Sequence, residues 1–319
     1  MKKSFIFLCT AALAVVACNK SVTVVNEEPA EIGFKAVSSA VTKADPEITG
    51  SVLPNKDYII YAAATNVATG IAYFPETAFE TSDATVTSNS QYKAATPLYW
   101  PVGGANLDFL AYATTAANKA NIGNVTWDAT LATKGVSFNS WDTYTNQVDL
   151  VYAAANNSEK AETTPLVFEH AQALLCFKAK KSGNTDGDII INSITIKGLE
   201  YQGNFEVDNS HNDIIVTWTT EANSAADKTV KGLDSPYTTT TTMTQFTDNL
   251  LVPIQARKNF VVNYSIGSNT MEYEYNSERG PWEAGKKYTY ELDLNLMEII
   301  FPATVETWNE VTAIPVVIQ

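Results

Sequence analysis

Short β-rich runs recur along the whole chain, and this recurrence restricts the fold more than any other feature. They are Tyr58 to Ala64, Leu107 to Ala113, Val148 to Ala154, Leu166 to Ala179, Ile189 to Ile196, Ile214 to Trp218, Phe260 to Ile266 and Tyr288 to Leu294. Their Val, Ile, Thr, Tyr and Phe content suits a pleated, half-buried surface. Between them stand punctuators such as Gly103-Gly104, Ser182-Gly183-Asn184 and Asp186-Gly187, which favour turns. No long stretch sustains a 3.6-residue period, and only Ala113 to Ala120 has the composition of a short helix. An all-β class built of antiparallel sandwiches follows. With 319 residues, 45% of them hydrophobic, the chain has ample material for one or two cores.

The segment Asn156 to Thr164 is polar and is followed by Pro165 and a fresh apolar run, which predicts a boundary there. The expected division is therefore 1–17, 18–44, 45–163 and 164–319. The segment 18–44 reads as a polar tether followed by one strand, in which Ile32, Phe34 and Ala36 share a face. At the other end Ile314, Val316 and Ile318 share a face in the same way.

Residues 1–17 read as a secretory signal: Lys2 and Lys3 precede an apolar stretch, Phe5 to Val16, too short to span a bilayer. Val15-Val16-Ala17-Cys18 resembles a lipobox, in which small residues admit a signal peptidase that cuts before a diacylated cysteine. Cys18 would then be the mature, lipid-bearing N-terminus, a thioether to diacylglycerol with palmitate-class chains, and several acyl chains hold a protein firmly on a membrane. Asn19, in place of Asp, suggests delivery to the outer membrane. The remaining cysteines are Cys9, lost with the signal, and Cys176, so no disulfide is expected and stability must come from burial.

Loss of Lys2 and Lys3 takes the formal net charge from −14 to −16, which argues against a nucleic-acid partner. Arg257 and Arg279 are the only arginines, little material for a bidentate phosphate clamp. The two histidines, His170 and His211, are too few for a structural zinc site even with Cys176 six residues after His170. Asn184, Asp186 and Asp188 alternate as calcium ligands do. Gly187 is misplaced for an EF-hand, however, and Thr195 stands where the bidentate Glu belongs, so the stretch reads as a turn. No serine-histidine-aspartate order, phosphate loop or zinc-protease helix is visible. Neither an enzyme, nor a metal, nor a cofactor is expected.

Several phrases stand in an order that resembles the fimbrillin family: Tyr99-Trp100-Pro101 leading to Leu107-Asp108-Phe109-Leu110-Ala111-Tyr112; Asp149-Leu150-Val151-Tyr152-Ala153; Phe168-Glu169-His170-Ala171; Ile194 to Leu199; Trp282 to Tyr290; and a tail with Val305 and Trp308. The resemblance covers nearly the whole mature chain. It implies two tandem transthyretin-like β-sandwiches behind a lipoprotein signal, in a structural or adhesive subunit of a cell-surface fimbria. It also implies proteolytic trimming, here between Lys43 and Ala44, and polymerisation by strand exchange. The removable strand would carry Ile32, Phe34 and Ala36, and the donor would be the C-terminal pair Glu298 to Val305 and Ala313 to Gln319, with Ile314, Val316 and Ile318 on one face. An ordinary terminal strand is the alternative for both. The family is often processed after Arg, whereas this position offers Lys43.

The implied partners are other fimbrial subunits, whether copies of this chain or accessory subunits, the outer membrane through the lipid anchor, and a host protein or glycan receptor. The competing reading is a monomeric outer-membrane lipoprotein that binds glycans through exposed aromatics among its six tryptophans. Both readings share the anchor. Cys18→Ser is expected to abolish incorporation of labelled fatty acid, because a serine oxygen cannot form the thioether and Cys176 lies outside the lipobox; incorporation into that variant would refute the assignment.

Overall fold

The structure is a computed structural model, and it describes residues 29–38, 53–128, 135–142, 147–182, 187–210, 214–230, 236–277, 280–295, 299–300 and 303–307. The first sheet closes on itself. Its strands are β1 (Gly33–Ser38), β2 (Tyr58–Asn66), β3 (Ala72–Glu80), β4 (Tyr92–Ala94) and β5 (Leu107–Thr115), joined after an excursion through β6 (Asn124–Asp128) and β7 (Gly135–Asp142) by β8 (Val151–Ser158) and β9 (Thr164–His170). Around the barrel the order is β1-β4-β3-β2-β5-β8-β9, with β1 beside both β4 and β9. Closure leaves no edge to cover.

Alternation decides what fills the barrel. Along β5, Leu107, Phe109, Ala111 and Ala113 point into it, where they meet Ile60, Phe74, Phe79, Trp100, Leu166 and Phe168. The alanines Ala62, Ala64, Ala111, Ala113 and Ala153 leave room for the large rings, which is how a small barrel interior fills without voids. The intervening Leu110 and Tyr112 point outward, yet they are as buried as their neighbours.

What buries them is a second, four-stranded sheet in the order β13-β12-β7-β6, built from β6 and β7 together with β12 (Gln202–Asp208) and β13 (Ile215–Thr220). Its Val136, Phe138, Phe205 and Val207 pack on Tyr61, Leu110, Tyr112 and Tyr152 of the barrel wall. Gly203 permits this sheet to close: a Cβ there would lie 2.7 Å from the Thr219 carbonyl oxygen on β13. A carboxylate pins the sheet to the wall. Glu76 of β3 accepts from the Tyr112 hydroxyl at 3.2 Å, from the Trp127 indole at 2.6 Å and from Lys119.

The other core lies between two further sheets. One joins β10 (Ala173–Lys181) to β20 (Lys286–Leu294). The edge of β10 carries β16 (Thr244–Gln245) and β17 (Leu250–Val252), and that of β20 carries β21 (Ile299–Ile300) and β22 (Ala303–Thr307). The facing sheet runs β14 (Ala226–Thr229), β11 (Ile189–Leu199), β18 (Phe260–Ile266), β19 (Asn269–Tyr275), with β15 (Tyr237–Thr238) also on β11. The central pair β10 and β20 is parallel, Leu174–Lys181 against Lys287–Leu294. Phe177, Phe260, Trp282 and Tyr290 fill the space between the sheets, and the Trp282 indole donates to the Tyr290 hydroxyl at 3.0 Å.

The all-β sandwich architecture expected from the sequence is observed, and the expected short helix is Ala116–Lys119. Sheet membership, however, crosses the expected 163/164 boundary. β9, which contains Pro165, pairs with β8 and β1 in the first barrel, so the stretch from Asn156 at the end of β8 to Thr164 at the start of β9 connects two strands of one barrel. Polar residues and proline mark loops of every kind, which is why that stretch misleads. The chain leaves the barrel at Ala171 and Gln172. There the Gln172 side chain accepts from Leu150 N at 3.1 Å and donates to Val148 O at 2.9 Å, and its backbone oxygen accepts from Gly285 N at 2.9 Å.

Both cores hold buried phenols. Burial, with Asp83 adding to it, raises Tyr92 to about 12, and burial raises Tyr290 to about 12. Burial followed by the nearby carboxylates Glu76 and Glu169 pushes Tyr112 and Tyr152 up as well. An unfolded chain ionises its tyrosines near pH 10. A pKa raised on folding contributes stability that is whole below the unfolded value and is lost as pH rises through the folded one. Denaturant midpoints should therefore be insensitive to these groups below about pH 10 and fall above it, with late phenolate absorbance at 295 nm appearing together with loss of the β-sheet circular dichroism signal. Ionisation of every tyrosine in a chain that keeps its dichroism would contradict this.

Candidate functional site

β1 is the segment on which closure of the first barrel depends. Its sequence, Gly33-Phe34-Lys35-Ala36-Val37-Ser38, continues an alternation begun at Ile32, and Ile32, Phe34 and Ala36 all point into the barrel core. Ile32 and Phe34 have no exposed surface and Ala36 retains 3%. The groove-filling face read from the sequence is thus seated in a groove of its own chain.

Two neighbours hold it unequally. Along β9 it runs parallel through five residue pairs, from Phe34 opposite Thr164 to Ser38 opposite Phe168. Along β4 it is antiparallel through only two, Gly33 with Lys93 and Phe34 with Tyr92. Upstream, Ile32 N donates to Leu98 O at 2.7 Å and Trp100 N donates to Ala30 O at 2.9 Å. Lys93 and Glu31 form an ion pair at 2.6 Å on the rim, partly exposed and therefore of modest worth. An open cleft of about 400 Å³ lies beside this start of β1, lined by Glu31, Gln91, Lys93, Lys160 and Glu162 among others, so the beginning of the strand is reachable from solvent.

Inside the barrel the Phe34 ring meets Phe79 edge-on at 4.7 Å and Phe109 edge-on at 5.1 Å. Trp100 packs edge-on against Phe109 at 5.6 Å, and its indole donates to Ala161 O at 3.1 Å in the β8–β9 connection. The Tyr99-Trp100-Pro101 phrase therefore marks the wall of the groove, a role that its sequence reading as a strand end does not convey. The receiving strands were not legible at all: β4 has three residues, and the partner β9 lies some 130 positions downstream of β1.

Among the other expected site residues, Cys18, Lys43, Ala44, Ile314, Val316 and Ile318 lie outside the described residues. So do His211 and the Asn184-Asp186 stretch. The segment Glu298 to Val305, read with the terminal donor, is represented by β21 and β22, both paired antiparallel to β20 of the same chain. His170 is buried with Nδ1 2.7 Å from Asp149 Oδ1, and buried Cys176 donates from Sγ to Gln245 Oε1 at 3.2 Å. Both side chains sit in packed strands rather than in a common site.

The tryptophans do not form an outward platform among the described residues. Trp100 and Trp282 are buried and Trp127 and Trp218 half-buried; the side chains of Trp141 and Trp308 lie outside the described residues. Trp127 donates to Glu76 and Trp218 to Ala171 O at 2.7 Å, so their indole N–H groups are spent on the fold. Among the described residues the exposed large aromatics are Tyr73 and Tyr99, linked by a hydrogen bond from the Tyr73 hydroxyl to Tyr99 O at 2.8 Å.

Comparison with known proteins places the fold. A family model described as fimbrillin-like matches residues 42–308. A fimbrial protein from Bacteroides vulgatus superposes with a TM-score of 0.58 at 14% identity, covering 86% of this chain and 99% of its own. A candidate cell adhesion protein from Bacteroides uniformis gives 0.55 at 17% identity, covering 87% and 98%. Another from Bacteroides ovatus gives 0.54 at 13%, covering 88% and 98%. Identities this low establish likeness of fold. A comparison with curated protein sequences finds no match.

The seating of β1 has a measurable cost when disturbed. Phe34→Ala removes a fully buried ring from an aromatic cluster and should lower unfolding free energy by about 3–5 kcal/mol, whereas Lys35→Gln, off the core face, should change it by no more than about 0.5 kcal/mol. Urea unfolding of the two variants reads the difference; equal midpoints would show that β1 contributes nothing to the barrel.

Proposed function

The chain belongs to the fimbrillin-like family, and from that membership we propose that it is a structural or adhesive subunit of a cell-surface fimbria. In this reading it is exported as a lipoprotein precursor, anchored in the outer membrane through Cys18, trimmed between Lys43 and Ala44, and joined to other fimbrial subunits by strand exchange. A protein or glycan on a host surface is the receptor class for an adhesive role. The reading requires no catalytic centre.

The observation that carries it is the position of β1. A segment near the N-terminus closes a barrel whose other six strands stay connected without it, because β4, β3, β2, β5, β8 and β9 pair in unbroken sequence. Cutting at Lys43 detaches β1 from the rest of the chain. Its departure uncovers the core positions of Ile32, Phe34 and Ala36 and two rows of unpaired backbone groups on β4 and β9. Apolar area exposed in this way costs about 25 cal/mol per Å², and unpaired strand edges are templates for another strand. A strand arriving from elsewhere restores both terms at once. The segment with Ile314, Val316 and Ile318 offers a second alternating face for that purpose, and Pro315, having no N–H, would have to stand where the ladder needs no donor.

The four tryptophans whose side chains are described are engaged within the fold and offer no stacking platform for the monomeric glycan-binding alternative. The decisive experiment starts from a protein lacking the signal and Cys18. After cleavage at Lys43 and release of the N-terminal piece it should convert from monomer to polymer, as followed by size-exclusion chromatography and electron microscopy. The uncut protein should stay monomeric. A cleaved protein that remains monomeric when mixed with uncut and cut copies of itself would remove strand exchange between identical subunits as the mode of assembly.

A further inference from the structure

The groove that β1 fills is not uniform along its length, and the unevenness specifies what else can enter. At its centre the Phe34 ring is bounded by Phe79 and Phe109, both edge-on, and these are backed by Phe74 at 6.0 Å and 6.3 Å and by Trp100 at 5.6 Å. This is a recess with aromatic walls and the depth of a six-membered ring. Edge-to-face contacts add to area burial and are lost with any aliphatic occupant. Two places later the occupant is Ala36, 3% exposed, so a small side chain suffices there.

The C-terminal sequence Ile314-Pro315-Val316-Val317-Ile318 does not match these gradations. Any register that keeps its alternation sets Ile or Val in the Phe34 recess. With Ile314 in the place of Ile32, Val316 underfills the recess and Ile318 overfills the Ala36 position. A shift of two in either direction still leaves an isoleucine where the ring was. Underfilling and overfilling both cost stability in a packed core.

Resting on the strand-exchange reading, we infer that the Phe34 recess sets the selectivity of the groove. The occupant it fits is a strand of a different subunit that carries an aromatic side chain at this place, with an aliphatic residue two positions before it and a small one two positions after. A second copy's C-terminus is the poorer occupant. Homopolymer joints are then weaker than joints to the matched subunit, and the recess orders which subunits follow one another.

Peptide exchange tests this on the whole protein. Residues 19–319 carrying a Cys18-free N-terminus and a specific protease site at the Lys43–Ala44 bond are cut, which leaves β1 in place but no longer covalently attached. A fluorescent peptide of residues 29–40 is then exchanged in and displaced by unlabelled competitors, with anisotropy as the readout. The Phe34→Ala peptide should compete about a hundredfold more weakly than the parent, and the Phe34→Leu peptide and the peptide of residues 308–319 about tenfold or more so. Equal competition by the parent and the Phe34→Leu peptide, or by the 308–319 peptide, would overturn the aromatic selectivity while leaving strand exchange standing. Failure of the parent peptide itself to enter, with β1 shown by mass spectrometry to be cut free, would overturn strand exchange and this inference together.

Discussion

β5 is buried on both faces, and the rest of the first half of the structure is a response to that. A strand with a core on each side has no water available to its backbone, so both edges must be paired; β2 and β8 do so along nearly its whole length. Its inward residues require a closed interior and its outward residues a covering sheet. The barrel meets the first requirement only when β1 seats between β4 and β9, and the sheet β13-β12-β7-β6 meets the second. One double-faced strand thereby links the N-terminal segment to residues beyond position 200.

Two polar side chains, Glu76 and Gln172, are satisfied where packed layers meet. Glu76 takes three donors where the covering sheet meets the barrel, and Lys119, one of them, also lies 3.7 Å above the Tyr61 ring. Gln172 spends both ends of its amide at the turn between the two cores. Such arrangements fix how layers sit on each other, since a shifted layer would leave a buried carboxylate or amide unpaired.

The class of fold was readable because strand alternation and turn chemistry are local properties. Runs at Tyr58, Leu107, Ile189, Phe260 and Tyr288 begin within a few residues of observed strands. Which strand lies beside which is not local. The run Leu166 to Ala179 splits at Ala171-Gln172 into two strands belonging to different cores, and continuous apolar character cannot reveal that division. The face formed by Ile32, Phe34 and Ala36 was legible from spacing alone. Its groove was not, because the groove is assembled from strands as far apart in the sequence as those of Phe79, Phe109 and Phe168.

The parallel ladder between β1 and β9 carries a consequence for how the molecule comes to be folded. β1 is among the first residues synthesised and its longer ladder partner begins at Thr164, so the barrel has no means of sealing until about half of the polypeptide has emerged. The same is true of β10, which waits for β20 across more than a hundred residues. Chains dominated by such distant pairings fold slowly, in milliseconds to seconds, and expose strand edges meanwhile. Until β9 is in place the barrel stays unsealed, and the seating of β1 is a late kinetic event.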